Sequence, residues 1–112
     1  MAYYGIPIYD EDGDVFGSRI GNKTYTIDTL DEWQRGFIAG INEVRELLEC
    51  RAANWRSVEN DKNATSLDKL RAEFATEAIE NVLYIVTTKA VEGIVFFNED
   101  NSEAQLNKER MT

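Results

Sequence analysis

The sequence predicts an α+β domain: a small antiparallel β-meander packed on a long two-helix antiparallel hairpin, with a short C-terminal strand added to the sheet. Three observations carry this. Residues 1–28 alternate apolar and polar side chains between turn signals, two later stretches repeat apolar residues at helical spacing, and Gly93 interrupts the second stretch just before the apolar quartet Ile94-Val95-Phe96-Phe97. The 112 residues suffice for one domain with a modest core. The spacing predicts that domain over 1–97, followed by a polar tail over 98–112 that reads as flexible or weakly helical.

The first strand signal is the aromatic and β-branched run Tyr3, Tyr4, Ile6, Ile8 and Tyr9. Pro7 lacks a backbone donor, so this strand is expected at a sheet edge or interrupted at that residue. Asp10-Glu11-Asp12-Gly13-Asp14 is a turn, because glycine accepts positive φ and aspartate bonds to nearby backbone. Val15, Phe16 and Ile20 form a second strand, Gly21-Asn22 a two-residue hairpin turn, and Lys23 to Ile27 a third strand. Thr29-Leu30-Asp31-Glu32 has the spacing of a capping box, so a helix is expected from about 30 to about 56, near 40 Å long. Its stripe is Leu30, Trp33, Phe37, Ile41, Val44, Leu48, Ala52 and Trp55. Residues 58–65 read as a loop. A second helix is capped by Thr65 or Ser66 and carries Leu67, Leu70, Phe74, Ala78, Val82 and Ile85. Residues 82–88 are rich in β-branched side chains, yet they continue that stripe and are read as helix.

The balance of 21 acidic against 12 basic side chains, a net charge of −9, argues against nucleic acid as a direct ligand, since such binding needs cations that displace condensed counterions. It suits a larger protein with a basic surface, because complementary fields speed association. A special case is a DNA mimic, whose carboxylates imitate a phosphate backbone. Acidity serves solubility equally well. No apolar stretch is long enough to span a membrane. One cysteine, Cys50, precludes an internal disulfide and fits a reducing compartment. With no signal-peptide pattern at the N-terminus, the expected location is cytoplasmic, in the host cytoplasm if the protein is viral.

Histidine is absent, which removes the usual general base and the commonest metal ligand. Ser-His-Asp and Cys-His sites are excluded, one cysteine cannot build a zinc site, and neither phosphate-binding glycine pattern occurs. Carboxylates remain. Asp10, Glu11, Asp12 and Asp14 do not match a calcium loop, because Gly13 comes too early and Arg19 stands where the glutamate belongs. On the helices, Glu46-x-x-Glu49 and Glu77-x-x-Glu80 resemble the paired ExxE helices of the all-α nucleotide pyrophosphatases, which use Mg²⁺. The resemblance covers those two patterns alone, and those enzymes lack an N-terminal sheet of this kind. It implies an alternative function, a Mg²⁺-dependent nucleotide phosphohydrolase; a small-ligand-binding dimer is a third reading. The simpler reading of these glutamates is solvated helix faces paired with arginine and lysine.

The leading expectation is a non-catalytic acidic binding protein without cofactor or metal. It would be an inhibitor or accessory factor docking on a basic partner, as phage-encoded inhibitors of host or defence nucleic-acid-handling proteins do. The residues expected to meet the partner are Asp10, Glu11, Asp12 and Asp14, with Tyr3, Tyr4 and Trp55 as aromatic anchors. Gly36 and Gly40 weaken a helix unless another backbone approaches, so they and their neighbours Trp33 and Phe37 are expected at a packing face. That face meets either the second helix or the same helix of a second copy, giving a homodimer.

Overall fold

The computed structural model describes residues 4–111, and the side chains of residues 4–106. The chain is α+β, as its patterning predicts. Three antiparallel strands, β1 (Ile6–Tyr9), β2 (Val15–Ile20) and β3 (Lys23–Thr26), form a sheet in the order β1-β2-β3. Pro7 lies on the edge strand opposite Ser18, where its missing N–H costs no ladder bond. The register steps from Ile8–Gly17 to Tyr9–Val15, so Phe16 forms a bulge beside the acidic turn. That turn is built by Asp10, whose Oδ1 accepts from the backbone N–H of Asp12 and of Asp14 at 3.0 Å each. At the second turn Gly21 takes φ 59° in the first central position, the geometry that lets a two-residue hairpin follow the sheet's twist.

A single 3-10 turn (Ile27–Thr29) leads to α1 (Glu32–Glu59), and a loop then leads to α2 (Ser66–Met111). The start of α1 corrects the sequence reading. Leu30 is extended, with ψ 151°, and its side chain is buried, so the helix cannot begin before it. The capping box is Asp31-x-x-Gln34: Asp31 Oδ1 accepts from the Gln34 N–H at 2.8 Å, and Gln34 Oε1 from the Asp31 N–H at 3.0 Å. At α2 the expected Thr65 cap forms, its Oγ1 accepting from the Asp68 N–H at 3.1 Å.

The expected C-terminal strand does not exist. Ile94–Phe97 lies within α2, which runs unbroken past Gly93 and through the polar segment to Met111. A four-residue apolar run fits a strand or a buried helical turn equally well, and here Gly93 is a packing device. A Cβ at that position would stand 3.1 Å from Ile38 Cδ1, so glycine lets α2 close on α1 at that turn. Residues 82–88 are helical, as the spacing predicts.

The chain divides into two compact units. The first takes the residues up to Asn42 and those from Thr87 onward; the second is Glu43–Val86. In the first unit the core is Val15, Tyr25, Leu30, Ile38, Ala90, Val91, Ile94 and Val95. Asn42 ties β2 to this core. Its Oδ1 accepts from the Val15 N–H at 2.9 Å, and its Nδ2 donates to the Val15 carbonyl at 3.0 Å. In the second unit the buried side chains are Arg45, Ala52, Ala72 and Thr76, all small or polar. Thr76 Oγ1 is buried without a hydrogen-bond partner. Thr76→Val keeps the shape and removes the orphan, so it should raise stability by about 1 kcal/mol. The shift of the urea midpoint at unchanged m-value measures this.

Candidate interaction surface

In the first unit, four aromatic rings gather on the outside of the helices. Trp33 stacks on Phe37 with ring centroids 6.1 Å apart, and Phe97 meets Trp33 and Phe37 edge-on at 5.9 and 5.7 Å. Phe96 meets Phe97 edge-on at 5.9 Å. Phe97 packs against the core, whereas Trp33 is 69% exposed, Phe96 61% and Phe37 48%. These are favourable ring geometries, but they leave about half or more of three large apolar residues in water. A contiguous patch of this kind marks an interaction site more often than scattered single residues do.

A polar clasp built from residues next to Trp33 and Phe97 in the chain fixes α1 to α2. Gln34 and Asn101 exchange two amide hydrogen bonds, Nε2 to Oδ1 at 3.1 Å and Nδ2 to Oε1 at 3.0 Å. Asn98 Nδ2 donates to the Thr26 carbonyl at 3.0 Å and to the Ile94 carbonyl at 2.8 Å, and Thr29 Oγ1 donates to Asn98 Oδ1. Because each amide is held at both ends, the helix turns carrying Trp33 and Phe97 are pinned.

Charge around the rings is negative. The segments forming this unit carry twelve acidic and six basic side chains, and Asp28, Asp31, Glu32, Glu99, Asp100 and Glu103 are all exposed. Of the cations, Arg35 is spent on the backbone, donating to the Ile27 carbonyl at 3.0 Å and the Asp28 carbonyl at 2.8 Å. Lys89 pairs with Glu92 at 3.3 Å. Lys23 lies 4.9 Å over the Tyr25 ring, and hydrogen bonding and charge at Tyr25 hold its ammonium above the usual lysine range.

The residues expected to meet a partner are distributed unevenly. Tyr3 lies outside the described residues. Tyr4 is half-buried against the core, and its carbonyl accepts from Ser18 Oγ, so it serves the fold. Glu11 and Asp12 are exposed at the turn, Asp10 spends one oxygen on the turn, and Asp14 has one oxygen buried without a partner. Trp55 belongs to the second unit and is 37% exposed. Gly36 and Gly40 open onto solvent, with nothing within 4 Å of where a Cβ would stand. Packing against α2 therefore does not account for them. Trp33 and Phe37, read as packing residues, are part of the exposed patch. Phe96 and Phe97 were absent from the expected site because the strand reading buried them; their continuation of the α2 spacing was the signal that could have found them.

Among the described residues no group of three carboxylate or thiol side chains is placed to hold a metal ion. Of the four ExxE glutamates, Glu49 pairs with Arg45 at 3.3 Å, and Glu80 pairs with Arg56. A depression lined by Thr29, Leu30, Asp31, Asn101, Ala104 and Gln105 lies next to the polar clasp. No helix among the described residues is long and apolar enough to cross a membrane. Comparison with protein-family models, curated proteins and solved structures returned no match, so the reading of this surface rests on its own chemistry.

Proposed function

We propose that this chain is a non-catalytic binding protein, an inhibitor or accessory factor that sets an acidic, aromatic-centred face against a basic surface of a larger protein. The observation that carries this reading is the exposed Trp33–Phe37–Phe96 patch in the more acidic part of the chain. Protein interfaces combine a few aromatic anchors with a polar rim, and the anchors supply most of the affinity. The rim of carboxylates supplies the other half: it draws a cationic partner in and disfavours acidic competitors. Glu11 and Asp12 extend that negative field from the turn of the sheet.

The test is capture of a partner on the immobilised full-length chain, followed by titration of the recovered protein. Trp33→Ala should weaken that complex by roughly 30-fold or more. Replacing Glu11 and Asp12 by Gln and Asn should slow association several-fold at low salt, with the difference fading as salt rises. A partner that binds the Trp33→Ala chain as tightly as the original, at a rate indifferent to salt, would sink the reading.

A further inference from the structure

The second unit, Glu43–Val86, presents a different surface. Leu67, Leu70, Phe74, Val82 and Ile85 recur every three, four or eight residues along α2, which places them on one face of that helix. All are open: 55%, 47%, 63%, 47% and 56% exposed, respectively. On α1 the same unit exposes Val44 at 46%, Leu47 at 65% and, two turns on, Trp55 at 37%. What the unit does bury is Arg45, Ala52, Ala72 and Thr76. Leu48, Val58, Ile79, Leu83 and Val86 are only half-buried, so the unit fully covers small and polar side chains and no large apolar one, which is less than two helices need to hold together.

We propose that a second copy of this chain docks on this face, so that two hairpins complete one four-helix core. Two arguments select that occupant. The first is area. Eight large side chains, each one-third to two-thirds open, expose roughly 700 Å² of apolar surface, against about 800 Å² of total surface per partner in a stable interface, about two-thirds of it apolar in homodimers. The second is charge. This segment carries nine acidic and six basic side chains, against twelve and six for the rest of the chain. Arg51 lies on the same line of α1 as Leu47 and Trp55, and Glu77 follows Leu70 and Phe74 at helical spacing on α2, so the face carries a cation on one helix and a carboxylate on the other. With a balance of −3 here and −6 in the rest, two like copies repel less through this segment than through the other unit. The face belongs to the second unit and uses none of the residues of the acidic aromatic patch.

Sedimentation velocity of the full chain between about 1 and 100 µM tests this. The expected mass is twice 12.8 kDa, falling to the single-chain value in Phe74→Glu and in Ile85→Glu with the far-UV circular dichroism retained. Leu70→Ser, a milder change, should raise the dissociation constant by roughly 10-fold or more, and it serves if the charged variants unfold. Trp33→Ser should keep the double mass while losing partner capture, which separates this proposal from the function proposed above. A single-chain mass throughout the range, a mass above two copies, a double mass that survives Phe74→Glu and Ile85→Glu, or loss of the double mass in Trp33→Ser would each overturn it.

Discussion

Asn42→Ala is expected to destabilise the fold by about 2–4 kcal/mol, a large share of the ~5–15 kcal/mol that holds a domain of this size. The effect does not come from lost apolar contact. Asn42 is a buried amide that satisfies both the N–H and the carbonyl of Val15, and Val15 is 1% exposed at the first position of β2. Removing the amide leaves two main-chain groups without partners where water does not reach, and each carries a desolvation cost. Asn42→Asp separates the two bonds, since a carboxylate still accepts from the Val15 N–H but repels its carbonyl and adds a buried charge. It should therefore be at least as harmful as alanine. Urea unfolding followed by circular dichroism measures both, and a loss below about 1 kcal/mol for Asn42→Ala would show that the pairing is replaceable.

Ile94→Ala should cost about 3–4 kcal/mol, while Phe96→Ala two residues away should stay within about 0.5 kcal/mol. Ile94 is fully buried among Val15, Ile38 and their neighbours, whereas Phe96 is 61% exposed. The contrast is diagnostic of helix, because alternate residues of a strand face the same side and would respond alike. Thermal unfolding of both variants gives the answer, with roughly 10–20 °C expected between them. Similar losses at both positions would argue that the segment pairs with the sheet.

How far the fold was legible depends on what each element relies upon. The meander was legible because turn chemistry is local: Gly13 and Gly21 have positive φ, and Asp10 caps its own turn. The existence of two long helices was legible from periodicity. Which face they bury was legible only in part: Leu30 and Ala52 of the expected α1 stripe are buried, and Ile41 packs against the core. Reading apolar residues as the core selects Trp33, Phe37 and Val44, whereas the chain buries Gln34, Ile38, Asn42 and Arg45, one position further round α1. Three of those four are polar: Arg45 pairs with Glu49 at ordinary i,i+4 spacing, but Gln34 meets Asn101 and Asn42 meets the Val15 backbone, partners that no spacing rule reveals. On α2 the same rule selected Leu67 to Ile85, which the single chain leaves open. The same reading shaped the expected site: Trp33 and Phe37 were placed at a packing face toward α2 or a second copy, Trp55 was kept as an anchor, and Phe96 and Phe97 were assigned to a buried strand.

The boundary between the two units has a practical consequence for dissecting the molecule. It falls between Asn42 and Glu43 in α1, and again between Val86 and Thr87 in α2, both times amid continuous helical backbone. Neither half can be excised by trimming a tether, because none joins them. An inserted sequence or a new pair of chain ends belongs instead at Asn60–Thr65 or Gly21–Asn22, where the main chain already turns in solvent.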